Sequence, residues 1–145
     1  MDRVLRLLIL SFVLAGSPAA LADADGYAAG VSSVILERGT TTADGAPIAY
    51  PCTDRPEVTA AEVTIAPGAE TGWHKHPIPL YAYVQQGELE VRLDDGRVSS
   101  FHGGDVIFEV VDTWHNGKNV GDDEVKLIVF YLGIAGEPTT IKRNQ

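Results

Sequence analysis

After residue 30 no stretch keeps apolar residues at i, i+3, i+4 and i+7 for ten or more positions, which excludes amphipathic helices as the main building block. Short runs rich in β-branched and aromatic residues stand in their place, at 31–37, 57–66, 81–85, 88–93, 98–101, 106–111 and 125–131. Turn residues separate them: Gln86-Gly87, Asp94-Asp95-Gly96, Gly103-Gly104-Asp105, Asn116-Gly117 and Gly121-Asp122-Asp123. A spacing near ten residues with tight turns points to an all-β antiparallel sandwich or barrel, not to a βαβ fold. Residues 23–30 and 139–145 read as loose termini. The chain contains no internal repeat, linker or low-complexity tract.

The first residues read as an address. Arg3 and Arg6 precede an apolar run over residues 7–16, and Ala20-Leu21-Ala22 offers a small-x-small cleavage site before Asp23. Ten residues at about 1.5 Å each cannot cross a hydrocarbon layer of about 30 Å, so a membrane anchor is a poor reading. The expectation is a signal peptide at 1–22 and a single domain at 23–145 in the periplasm or outside the cell, with no membrane partner after cleavage. The full chain carries 11 Lys and Arg against 20 Asp and Glu, a formal charge of −9. Losing Asp2, Arg3 and Arg6 with the leader takes the remaining 123 residues to −10. Such an acidic surface repels phosphate backbones, so nucleic acid is not an expected partner. The lone cysteine, Cys52, excludes an intrachain disulfide and a Cys-rich zinc site. In an oxidising compartment it is expected to be buried, capped or paired between chains, with burial at an apolar strand end the first expectation.

Of the four histidines, His74 and His76 lie two apart, so on a strand both rings face one side. His115 follows 39 residues later, at the end of another strand-rich unit. Three imidazoles from neighbouring strands form a facial set that leaves positions open for water, substrate or O₂. His102, between Phe101 and Gly103-Gly104, reads as a solvated imidazole at a turn rim.

The surroundings of these histidines carry a family pattern. The stretch from Gly68 through His74 and His76 to Gly87 resembles the first cupin motif, G-x5-H-x-H-x3,4-E-x6-G. The stretch from Gly104 through His115 to Asn119 resembles the second, G-x5-P-x-G-x2-H-x3-N. Together they span residues 68–119. The resemblance implies a double-stranded β-helix, the jelly-roll cupin barrel, with the histidines lining its interior. It also implies His74, His76 and His115 as ligands of one divalent transition metal. Three departures stand out: Leu80 occupies the glutamate position, Val110 the proline position and Asp112 the glycine position. Leucine cannot ligate a metal, so the family's fourth ligand is absent, although Leu80 shares strand parity with the histidines. Glu70 shares that parity too and is the alternative carboxylate. Glu109, among Phe108, Val110 and Val111, reads as part of a solvated strand face. Tyr81 and Tyr83, of opposite parity, read as exterior packing compatible with a homodimer, and Trp73 and Trp114 as packing residues turned from the metal.

Three neutral imidazoles suit Fe, Zn, Ni, Cu or Mn better than Mg or Ca. Without a carboxylate ligand the centre keeps its 2+ charge and favours anionic chelating ligands. General acid–base candidates are thin: Tyr81, Tyr83, His102 and Glu70 have no visible partner. Two expectations follow. One is an exported metalloenzyme, dioxygenase-like, acting on a small molecule. The other is a barrel of the same kind that binds or senses a small ligand without catalysis, its metal structural or absent.

Overall fold

The computed structural model describes residues 28–144, so the signal-peptide reading of 1–22 lies outside the described residues. The chain divides into two compact units, Met1–Ile35 and Leu36–Gln145. In the first, residues 28–35 hold a turn closed by Val31 N–H donating to Ala28 O at 3.1 Å. The strand expected at 31–37 does not form, and Val31, Val34 and Leu36 are 52–63% exposed. Their β propensity meets no ladder partner among the described residues, and a strand is stable only when paired.

Among the described residues the second unit holds nine strands: β1 Pro56–Ile65, β2 His74–Lys75, β3 Leu80–Gln86, β4 Glu88–Leu93, β5 Val98–His102, β6 Val106–Phe108, β7 His115–Asn119, β8 Val125–Ile134 and β9 Ile141–Lys142. No helix occurs among the described residues. The strands form two antiparallel sheets, ordered β1-β8-β3-β6 and β5-β4-β7-β2-β9. Alternation decides the faces. Leu80, Ala82 and Val84 of β3, Leu89, Val91 and Leu93 of β4, and Val125, Leu127 and Val129 of β8 are buried in one core. Glu88, Glu90 and Arg92 of β4 point the other way. Fully burying one such aliphatic side chain stabilises the fold by about 1.5–3 kcal/mol.

Two backbone positions fix the turns around the site. Gly87, between β3 and β4, has φ +89°, and a Cβ there would lie 2.7 Å from Glu124 O and 2.8 Å from Val125 Cα. Only glycine fits. Asp112 has φ +53° in the turn before β7, where the family pattern has glycine. Its N–H donates to His76 O at 2.8 Å and its carboxylate pairs with Lys75 at 3.1 Å, which holds the left-handed turn without glycine.

Four expectations need correction. Asn116-Gly117 is not a turn but the middle of β7, because β7 pairs with β4 and β2 and not with a strand immediately following it. The run at 106–111 is a strand only over Val106–Phe108. The described part of the expected loose end, residues 139–144, is not loose: β9 pairs with β2, and Arg143 is clamped between Trp73 and Trp114, 5.4 and 4.8 Å from their ring centres. Cys52 is exposed, since it precedes β1 by four residues and no strand end covers it.

Candidate metal centre

The antiparallel pairing of β2 with β7 sets His74 directly opposite His115. His76 follows β2 on the same face, and the three ring centres lie 4.3–5.2 Å apart. The donor atoms of His74, His76 and His115 all lie within 4.8 Å of one another. Each ring is held from behind by a backbone carbonyl. Nδ1 of His74 donates to Gly72 O at 2.7 Å, Nδ1 of His76 to Thr139 O at 2.7 Å, and Nδ1 of His115 to Thr113 O at 2.9 Å. That fixes the tautomer and leaves Nε2 of each ring with its lone pair free, the arrangement that metal-ligating histidines need. Burial holds all three below the usual imidazole range, His76 down to about 4, so the rings are neutral at pH 7. Orientation, protonation and proximity all fit a transition-metal ion held by His74, His76 and His115.

The cluster lies in a cavity of about 230 Å³ between the two sheets, walled by apolar side chains such as Ala82, Leu89, Ile107 and Val129. Leu80 lines it, as its parity requires, and is 4% exposed. Glu70 does not. It is exposed, pairs with Lys118 at 3.2 Å, and accepts from Asn116 at 2.8 Å, so the alternative carboxylate stands outside the cavity.

Glu109 corrects the sequence reading. It is not on a solvated face but 9% exposed and in the cavity wall. Residue 109 continues the alternation of β6, on the same side as the buried Ile107; that parity was the signal available in the sequence. Burial above all pushes its carboxyl pKa up, against the Val110 N–H and the nearby His74, which lower it. Tyr131 of β8, Thr140 and Lys142 also line the cavity and carried no motif. Tyr131 stacks obliquely on His76 at 5.6 Å.

The remaining candidates lie elsewhere. His102 is an exposed imidazole 3.9 Å from Asp105. Tyr81 packs edge-on against Phe108, and Tyr83 is 38% exposed on the outside. Trp73 and Trp114 hold Arg143, and Asn119 is a buried structural knot: its Nδ2 donates to Ile65 O and Asp123 O, both at 2.8 Å, and its Oδ1 accepts from Gly121 N–H at 3.0 Å.

Comparison with known proteins agrees with this architecture. Residues 61–131 match the family described as Cupin domain. A 51-residue segment, 35% of this chain, is 39% identical to the (R)-mandelonitrile lyase of Granulicella tundricola and covers 39% of that protein. Oxalate decarboxylase of Lactobacillus farciminis, solved with formate, superposes with a TM-score of 0.52 at 26% identity, over 59% of this chain and 26% of that one. The oxalate decarboxylase of Bacillus subtilis, described with Mn(II) centres, shares the fold at a TM-score of 0.51 and 22% identity, over 59% of this chain and 23% of that one. The chain thus spans well under half the length of each of these relatives. With both histidine motifs on adjacent strands of a two-sheet barrel, the chain belongs to the cupin superfamily.

Proposed function

We propose that the chain is an exported metalloenzyme that holds one divalent transition metal through His74, His76 and His115 and acts on a small molecule in the cavity beside them. One observation carries this reading: three neutral imidazoles, each fixed at Nδ1 by a backbone carbonyl, cluster in one cavity whose walls are mainly apolar. Fe, Zn, Ni, Cu or Mn would supply Lewis-acid polarisation or oxygen chemistry there. The ligand set is uncharged, so the centre favours a substrate that presents an anionic chelating group: an enolate, catecholate, carboxylate or thiolate. Leu80, Ala82, Leu89 and Val129 receive the apolar body of the molecule and exclude water.

Dioxygenase-like oxygen insertion is the first reaction to test, since three neutral ligands leave several positions open. A lyase acting on an α-hydroxynitrile is a second reading, favoured by the likeness to the mandelonitrile lyase. The test loads the purified chain with Fe(II), Mn(II) or Zn(II), then follows O₂ uptake with catechol and acetylacetone, and aldehyde release from (R)-mandelonitrile. Metal-dependent turnover that His76→Ala abolishes supports the enzyme. Tight binding of these molecules with no turnover of any of them favours the binding module. Export predicts a mature chain that begins at Asp23 in the periplasm or medium, and mass spectrometry of protein from the native host reads it directly. A homodimer would use the outer face of β1, β8 and β3, where Val58, Phe130 and Tyr83 are 66, 46 and 38% exposed.

A further inference from the structure

Glu109 has no assigned task, yet its placement is costly. A carboxyl group in an apolar wall weakens a fold unless it is paired. Here Oε1 accepts one hydrogen bond, 3.1 Å from Val110 N–H, and no other hydrogen bond reaches the carboxylate among the described residues. Its own N–H donates to Leu80 O at 3.2 Å, which continues the β3–β6 register by one pair and makes Leu80 and Glu109 cross-strand neighbours. Both side chains line the histidine cavity. The carboxylate that the first motif lacks at position 80 therefore stands one strand over. It is not among the donor atoms grouped within 4.8 Å of one another, which leaves it free for another role.

We propose that Glu109 is the proton-transfer residue of this cavity, accepting the proton that a neutral, hydroxyl-bearing chelating molecule loses as it seats against His74, His76 and His115. The inference rests on the metalloenzyme reading above. In the step, the O–H bond of the incoming molecule breaks and its electron pair stays on that oxygen. The proton forms a new O–H bond on the Glu109 carboxylate, and nothing is oxidised or reduced. The molecule enters neutral and is held as an anion, so the cavity's total charge does not change. Of the chelating groups that a 2+ centre with neutral ligands favours, Glu109 narrows the class to those that arrive protonated, such as enols, catechols, hydroxamic acids and α-hydroxycarbonyls. It selects against a ready-made carboxylate, which would place a second negative charge beside it.

The charged and titratable groups facing Glu109 agree. His74 of β2 draws its pKa down, and Asp44 of the loop at 41–47 pushes it up. Burial above all raises the pKa of Tyr131 on β8, with a smaller push from Glu109, and Lys142 of β9 lines the same cavity. Burial, the largest influence, gives the Glu109 carboxylate a higher proton affinity than a surface carboxylate, as a general base needs.

The test counts protons. The full chain is loaded with Co(II), and acetohydroxamic acid is titrated in by calorimetry in buffers of different ionisation heat, below the pH at which the free acid ionises. Wild type should release almost no proton to the buffer near pH 7, whereas Glu109→Gln should release about one and bind roughly tenfold or more weakly. Cobalt content and the visible spectrum before ligand addition should match in the two proteins. Equal proton counts in both overturn the role of Glu109. If Glu109→Gln does not fold, wild type alone decides: its count should climb from near zero toward about one as acidification protonates Glu109 beforehand, and a count of one at every pH overturns the proposal. Failure of wild type to bind Co(II) overturns the metalloenzyme reading as well, a result separate from cobalt-loaded protein that binds the acid with equal proton release.

Discussion

Leu80→Glu restores a carboxylate to the ligand face, and its consequences can be worked from the structure. Leu80 is 4% exposed, so removing it forfeits about 2 kcal/mol of apolar burial. Burying a carboxyl without a partner adds about 1–3 kcal/mol, and its cross-strand neighbour is already Glu109. The metal-free variant should therefore be about 3–5 kcal/mol less stable than wild type, a fall in Tm of about 10–20 °C for a domain of this size. If the new carboxylate meets a 2+ ion, binding tightens. A 100-fold gain in affinity returns about 2.7 kcal/mol at saturating metal. The measurement is the Tm of both proteins with and without excess Zn(II). The metal-induced rise should be larger in the variant by about 10 °C. Equal rises would refute the reasoning, because they would mean that position 80 does not face the bound ion. The double variant Leu80→Glu/Glu109→Leu removes the second carboxyl and should recover part of the metal-free loss.

Acidification should destabilise the metal-free protein. His76 titrates at about 4 when folded against 6.5 for the free side chain, so the unfolded chain binds its proton first. Stability is retained above pH 6.5 and lost as pH falls through the interval down to about 4, by about 3 kcal/mol from this residue. Urea midpoints that do not move over that interval would contradict it. Glu109 runs the other way: its raised pKa means stability present at low pH and lost as pH rises through the folded value. Glu109→Gln should therefore raise the Tm of metal-free protein at pH 8 and leave it nearly unchanged at pH 4. A lower Tm at pH 8 would show that the ionised carboxylate is well paired. Asn119→Ala should cost about 1–3 kcal/mol, since the Ile65 and Asp123 carbonyls and the Gly121 N–H lose their partners, the first of them fully buried, with metal content unchanged. A loss below about 1 kcal/mol in denaturant unfolding would count against the knot.

Most of the barrel was legible because alternation and burial coincide. The runs at 57–66, 81–85, 88–93, 98–101 and 125–131 became β1, β3, β4, β5 and β8 within a few residues. The histidine set was legible for the same reason: two residues at period 2 and a third on the paired strand. The failures share a cause in tertiary context. Residues 31–37 have strand composition but no partner strand. Asn116-Gly117 has turn composition, yet β4 pairs with both residues through Arg92 and Val91, and Thr71 N–H donates to Gly117 O from the other side. The C-terminal residues carry no periodicity. They are ordered by Arg143, held between two tryptophans and 3.2 Å from Asp94, and Thr139 of that segment supplies the carbonyl that fixes His76. Glu109 was misread because charge suggested solvent, while its parity with Ile107 pointed inward. A costly residue at a cavity wall is the kind that function retains against stability.

The central claim is that His74, His76 and His115 hold one ion, and metal content measures it most directly. Purified wild-type chain from metal-replete growth should carry close to one transition metal per barrel by elemental analysis. His76→Ala, which removes the ring fixed by Thr139, should carry almost none while remaining folded by circular dichroism. A wild-type stoichiometry near zero would contradict the account, and so would a metal retained in the triple His74/His76/His115 alanine variant.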